Sequence, residues 1–285
     1  FRYPTVRQLA ALLEAGAAGH PAGSLVDVRA AGDRGRLFCV HPAPGTVLCY
    51  HELARHLPAG WAIHALQARG LVRGQTPHRT VEEMAADYVL EITRVQPHGP
   101  YLLLGWSTGG KVAHEVARQL EAQGEPVALL VLVDTDPVFL PVSGRDFSSI
   151  SLFVYSLKAM FTHGPVVRHH LDVASWWPPD LVRRLRMWHA QVGAVLRYRP
   201  VPAAVRARVV LFQTAACRRR DEELDDPARS VQRIVPQVEI VPIVGDHLDL
   251  FRSPWIEPWC RELAYLLDEV VPCPTSCCPA VERSS

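Results

Sequence analysis

Ser107 stands in Gly105-Trp-Ser-Thr-Gly109, directly after the apolar run Tyr101-Leu-Leu-Leu104 and directly before a helically patterned segment. A serine flanked by glycines two positions to either side, at a strand-to-helix junction, is the G-x-S-x-G nucleophile elbow. Such a turn strains the nucleophile, and its neighbours two positions away must be small. The Ser107 hydroxyl is then expected at the carboxyl edge of a sheet, over a helix N-terminus whose unpaired N–H groups favour a developing oxyanion. The chemistry on offer is attack on an acyl carbon. A hydroxyl at its ordinary pKa is a poor nucleophile, so a base must lie within hydrogen-bond reach.

Thirteen histidines are present. His247 differs from the others because it follows an apolar run and a glycine, in Ile243-Val-Gly-Asp-His247. That puts it at the sheet edge where catalytic loops gather, and last in chain order, as α/β-hydrolases place their base. A carboxylate must then orient the imidazole. Asp134 ends the run Leu129-Leu-Val-Leu-Val133 and emerges at the same edge as Ser107, and Asp136 lies two residues further on. Asp221 or Glu222 follows the later apolar run, where many hydrolases of this fold keep their acid. Asp246 adjoins His247 but would need a sharp turn to reach its ring. The pattern favours Asp134 without closing the choice. The oxyanion hole should combine the Thr108 N–H with one from the loop His41-Pro-Ala-Pro-Gly45, at Ala43.

The same stretch holds a decoy. Gly105, Gly110 and Lys111 satisfy most of a phosphate-binding P-loop, but that motif needs Ser or Thr next, and position 112 is valine. Lys111 is expected in solvent or near the mouth of the site.

The elements around these residues alternate. Leu37–Val40, Trp61–Leu66, Tyr101–Leu104, Val127–Val133, Val205–Phe212 and Val238–Val244 read as buried strands. Helices are expected over Tyr50–Leu57, from the Thr80/Glu83 capping box to Val95, from Ser107 to Gln123, and over Trp255–Val270. This rhythm argues for a mostly parallel central sheet with helices on both faces, and with the elbow at Ser107 it reads as an α/β-hydrolase fold. It breaks at about residues 138–199, a helical lid insertion over the site, rich in Trp, Arg and His. Arg168, His169, His170, Trp176, Trp177 and Trp188 are candidates to line the space beneath it.

Thirty basic and 29 acidic residues leave a formal charge of +1, which gives no electrostatic reason for a nucleic-acid or anionic-membrane partner. No apolar run is long enough to span a bilayer, and no signal-peptide pattern opens the chain, so a cytoplasmic protein is expected. Seven cysteines are scattered. Cys39 and Cys49 read as small buried hydrophobes, whereas Cys273, Cys277 and Cys278 fall in a Pro/Ser-rich stretch, residues 271–285, that reads as a disordered tail rather than a metal site.

Taken together, His41-Pro, Gln67-Ala-Arg-Gly-Leu71, Glu82-Glu-Met-Ala, Gly99-Pro-Tyr101, Gly105-Trp-Ser-Thr-Gly-Gly110, Leu132-Val-Asp134 and Gly245-Asp-His247 resemble a known family. It is the releasing thioesterase domains of nonribosomal peptide and polyketide synthetases. The likeness covers about residues 35–137 and 198–265, with the lid between. The resemblance implies Asp134 as the acid. It also implies that Phe1–Ala10 is similar to the last helix of a peptidyl carrier domain. Residues 1–34 are then a carrier remnant plus linker, and 35–270 the thioesterase domain. Two residues depart from the family pattern. Thr108 replaces a bulky apolar residue, and His114 takes a place that is often aromatic; both could alter the acyl pocket.

The reaction this implies uses no metal and no cofactor of its own. A peptidyl thioester arrives on the 4′-phosphopantetheine of the upstream peptidyl carrier domain and acylates Ser107, and His247 then activates water or a nucleophile of the peptide itself. Hydrolysis needs nothing beyond the triad and is the expectation ahead of cyclisation. His247 could also remove the α-proton of an unusually acidic acyl residue and epimerise it. A general esterase or lipase, a free-standing editing thioesterase and a non-catalytic module of the same fold are the alternatives. A tethered domain of a larger synthetase is expected to be monomeric.

Overall fold

The apolar runs pair side by side in a computed structural model that describes residues 23–72, 74–135, 178–202, 204–222 and 231–271. Strands β1 (Leu25–Arg29), β2 (Gly35–Val40), β3 (Trp61–Leu66), β4 (Tyr101–Trp106), β5 (Val127–Val133), β6 (Arg208–Thr214) and β7 (Glu239–Ile243) form one sheet in the order β1-β3-β2-β4-β5-β6-β7. Only the β1–β3 pair is antiparallel. Between the strands lie α1 (Cys49–His56), α2 (Val81–Val95), α3 (Thr108–Ala122), α4 (Pro178–Arg197), α5 (Ala215–Glu222), α6 (Val231–Ile234) and α7 (Ile256–Val270).

Because side chains alternate across a strand, the central strands must be apolar on both faces, and two cores result. Phe38, Val40, Leu103, Leu130, Leu132 and Leu211 face α2, α3 and the end of α4. Leu37, Cys39, Leu104, Val131, Val133 and Phe212 face α1 and α7. The helices are cut to fit. Thr80 caps α2 by accepting the Glu83 N–H at 3.1 Å, while the Glu83 carboxylate reaches back to the Arg79 N–H at 2.9 Å.

Leu25–Arg29 was not legible as a strand, yet it pairs with β3, so the sheet begins ten residues before position 35. It is a five-residue edge strand, half-buried, with Asp27 and Arg29 interrupting its apolar pattern. Of the segment expected to form a lid, 178–199 is described and is largely the helix α4. Residues 1–22 with the carrier-like helix, Asp136, Arg168, His169, His170, Trp176, Trp177 and the tail from 272 lie outside the described residues. Cys39, Cys49, Cys217 and Cys260 are buried free thiols. Among the described residues no helix is long and apolar enough to cross a membrane, and no group of three or more His, Cys, Asp or Glu could hold a metal ion.

Candidate active site

β4 turns into α3 at Ser107 with φ 56° and ψ −126°, a conformation outside the usual wells for a side-chain-bearing residue. The flanking glycines permit it. A Cβ on Gly105 would lie 2.4 Å from the Gly109 carbonyl oxygen, and one on Gly109 would lie 2.5 Å from the Val40 and His41 carbonyl oxygens. The elbow therefore packs backbone to backbone against the end of β2, where the loop from His41 to Gly45 begins.

Three side chains from three strand ends meet here. His247 Nε2 lies 3.0 Å from Ser107 Oγ, and His247 Nδ1 lies 2.7 Å from Asp134 Oδ2. The other carboxylate oxygen of Asp134 accepts the Thr214 N–H at 2.8 Å. Asp134 is 1 % exposed. Burial alone would raise its carboxyl, but the hydrogen bond and charge of His247, with the amide and hydroxyl of Thr214, outweigh it and hold Asp134 below the ordinary carboxylate range. An ionised Asp134 accepts the Nδ1 proton and leaves Nε2 bare toward Ser107, the tautomer a general base needs. Trp106 flanks the imidazole at 5.6 Å between ring centroids and packs on Phe251 at 4.8 Å, a wall that fixes the ring from behind.

Of the other acid candidates, Asp136 lies outside the described residues. Asp221 and Glu222 close α5, while Asp246 lies in a turn whose carbonyl accepts the Asp249 N–H. Lys111 is 5 % exposed rather than in solvent, because α3 is buried all round from Gly109 to Ala117, between the sheet and its neighbours. His114 is buried too, its Nδ1 3.4 Å from the Tyr198 hydroxyl, which in turn donates to Glu115 at 2.9 Å. Burial pushes the His114 ring down to about 4, so it stays neutral and structural.

Neither the Ala43 nor the Thr108 N–H donates to a backbone carbonyl in the described turns and caps. Thr108 is the first residue of α3, where an N–H has no intrahelical acceptor. Thr214 and Tyr88 are residues beside these groups that the motifs did not mark, and His41 was marked only as the start of the loop to Gly45. Thr214 ends an apolar strand and starts a helix, and that junction was the available signal.

The model of the thioesterase-domain family matches residues 35–146, which include Ser107 and Asp134. The dimodular nonribosomal peptide synthase of Bacillus subtilis (strain 168) is 46 % identical over 143 residues, 50 % of this chain and 6 % of that protein. Malpinin synthetase of Mortierella alpina is 43 % identical over 148 residues, 51 % of this chain and 2 % of that protein. The solved NocB thioesterase domain, in covalent complex with a fluorophosphonate nocardicin G analogue, superposes with a TM-score of 0.66. It is 28 % identical, and the match covers 85 % of this chain and 98 % of that one. The chain is similar to thioesterase domains, in sequence over residues 35–146 and in fold over most of its length, and the curated relatives it matches are nonribosomal peptide synthetases. A four-domain nonribosomal peptide synthetase bound to AMP and glycine also aligns with this chain, with a TM-score of 0.71 at 25 % identity over 95 % of this chain and 22 % of that one. The domain thus spans a small fraction of the curated synthetases it matches.

Proposed function

We propose that this domain releases a carrier-bound peptidyl thioester through an acyl-Ser107 intermediate, by hydrolysis. The observation that carries the reading is the hydrogen-bonded row from Asp134 through His247 to Ser107, at 2.7 and 3.0 Å. His247 takes the Ser107 proton as Oγ attacks the thioester carbon, and the Ala43 and Thr108 N–H groups receive the oxyanion. The pantetheine thiol leaves with that proton. His247 next removes a proton from water, which attacks the acyl ester, and Ser107 regains its hydrogen. Asp134 stays ionised throughout and holds the imidazolium each time it forms.

The substrate arrives on the 4′-phosphopantetheine of an upstream peptidyl carrier domain, with residues 1–34 as carrier remnant and linker, and the setting is the cytoplasm. Support for a tethered setting comes from the relatives, which are multidomain synthetases. A nucleophile of the peptide itself in place of water would close a ring. Removal of the acyl α-proton by His247 would add epimerisation.

The test is incubation of the protein and its Ser107→Ala variant with a short peptidyl-pantetheine thioester, followed by mass analysis. A linear acid from the unaltered protein alone supports hydrolysis, and a product lighter by one water makes the domain a cyclase. Deuterium at the α-carbon after reaction in heavy water marks epimerisation. Faster turnover of simple esters than of the thioester would favour a general esterase. Equal products from both proteins would remove Ser107 as the nucleophile.

A further inference from the structure

The loop that supplies the Ala43 N–H is held by a buried polar chain that takes no part in proton transfer. The His41 ring, 2 % exposed, lies with Nδ1 2.8 Å from the Pro42 carbonyl oxygen and Nε2 2.7 Å from the Tyr88 hydroxyl. The Gly45 N–H donates to the same Pro42 oxygen at 2.8 Å. A carbonyl can only accept, so the His41 proton sits on Nδ1, and Nε2 accepts from Tyr88. The Tyr88 hydroxyl has one proton, and its longer contact to the Gln67 carbonyl, 3.3 Å, is secondary. Burial pushes the ring down to about 4, which keeps it neutral and in this tautomer near neutral pH.

The Pro42 carbonyl and the Ala43 N–H belong to one peptide plane. In a trans peptide they point in opposite directions. Two donors that fix the carbonyl therefore fix the direction of the N–H. From these contacts we infer that His41 and Tyr88 are positioning residues for the oxyanion hole, aiming the Ala43 N–H through the Pro42–Ala43 peptide plane. Tyr88 belongs to α2, so that helix is tied to the aim of a group it does not touch. Gly45, at φ +78°, closes the loop under the lid helix, where an added Cβ would meet Ala68 Cβ at 2.8 Å and Met187 Sδ at 2.9 Å. The inference rests on Ala43 as an oxyanion donor, and its test separates the two.

Tyr88→Phe removes the hydroxyl, His41→Leu removes the ring donor, and His41→Asn keeps an N–H close to the place of Nδ1. For each, kcat and KM on a peptidyl-pantetheine thioester are measured. Affinities follow for a peptidyl trifluoromethyl ketone, which forms a tetrahedral oxyanion on serine, and for the linear product acid. Tyr88→Phe should lower kcat about tenfold, and His41→Leu should approach the ~10²-fold loss of a whole oxyanion donor. KM and product affinity should hold, ketone affinity should fall by the same factor as kcat, and His41→Asn should recover most of the loss. Unchanged ketone affinity in Tyr88→Phe and His41→Leu overturns the inference, whatever their thermal stability. Ala43→Pro removes the N–H outright. If it lowers kcat ~10²-fold while the His41 and Tyr88 variants spare the ketone, the oxyanion reading stands and the positioning role fails. If Ala43→Pro leaves both kcat and ketone affinity intact, the oxyanion reading itself fails.

Discussion

The Ser107 N–H donates at 2.9 Å to the carbonyl of Val133, the residue immediately before Asp134, so the proposed nucleophile and its proposed acid hang from adjacent strand ends. Among the described residues, Ser107 at φ 56° and Asp134 at φ 44° are the two side-chain-bearing residues with positive φ. Both turn sharply off the sheet at one level, and His247 fills the gap between them. Strain of this kind costs of order 1–3 kcal/mol per residue and persists only where the surroundings over-determine it. Here the sheet register supplies that constraint, with Trp106 paired to Val133 and Val133 to Phe212.

Replacing Asp134 by asparagine should preserve the fold and remove most of the activity. The asparagine amide can donate to Nδ1, which puts the imidazole proton on Nε2, facing Ser107. The expected fall in kcat is about 10⁴-fold, the scale of a wrong-tautomer defect, with KM little changed. Steady-state kinetics on a pantetheine thioester check this. A loss under tenfold would point to another carboxylate as the orienting group.

Thr214→Val tests the second hold on the acid. The backbone N–H that donates to Asp134 at 2.8 Å survives the change, but the hydroxyl is lost. That hydroxyl also caps α5 by accepting the Cys217 N–H at 3.2 Å. Loss of the cap should cost about 0.5–2 kcal/mol in urea unfolding. With one donor gone, the Asp134 carboxyl rises, and kcat should fall severalfold for the folded fraction, counted by fluorophosphonate labelling. Thr214→Ser should restore both, and a Thr214→Val enzyme of full kcat per labelled site would limit Thr214 to capping.

The elbow and the strand rhythm were legible because each is a local signal. Tyr101-Leu-Leu-Leu104 has no alternative to a buried strand, and glycines 105 and 109 leave one reading of the turn. β6 was displaced by two to three residues, since Val205 and Ala207 lead into the apolar run Val209–Phe212 while pairing to β5 begins only at Arg208. β1 was missed because an edge strand needs apolar contact on part of one face alone. Lys111 was misjudged because a helix covered on all sides overrides the usual preference of a lysine for water. The choice among Asp134, Asp136, Asp221, Glu222 and Asp246 required knowing which strand ends are neighbours, and no local pattern encodes that. The His41–Tyr88 pair, 47 positions apart, was hidden for the same reason.

Gly109→Ala should be more damaging than its size suggests. Its Cβ would lie 2.5 Å from two backbone oxygens, those of Val40 and His41, and neither can move without shifting β2 or the loop that follows it. Overpacking of this sort costs about 1–3 kcal/mol. Because the displaced atoms carry the loop of Ala43, kcat should fall along with stability. Gly124→Ala provides the contrast. Its Cβ would meet nothing within 4 Å, although its φ of +82° is unfavourable for alanine, so it should lose stability and keep kcat. Thermal melts and kinetics on both variants read out the difference.

Stability should fall as pH drops from 7 to 5, and two buried histidines set the slope. His41 and His114 are each held down to about 4 by burial, against an ordinary value of 6.5. Above that ordinary value neither the folded nor the unfolded state protonates these rings, and stability is complete. Between the two values the unfolded chain binds protons that the native rings refuse, so unfolding gains, and the loss is complete only below about 4. At pH 5 each ring should cost the native state about 2 kcal/mol, at about 1.4 kcal/mol per pH unit. His78 is lowered by the same cause and adds in the same direction. Asp134 and Glu115 are held below their ordinary values and act at lower pH, outside this window. Urea unfolding at pH 7 and pH 5 measures the slope, and His114→Phe should flatten it by about one ring's share. Equal stability at the two pH values would mean that the rings are protonated in the folded state, which a neutral His41 accepting from Tyr88 does not allow.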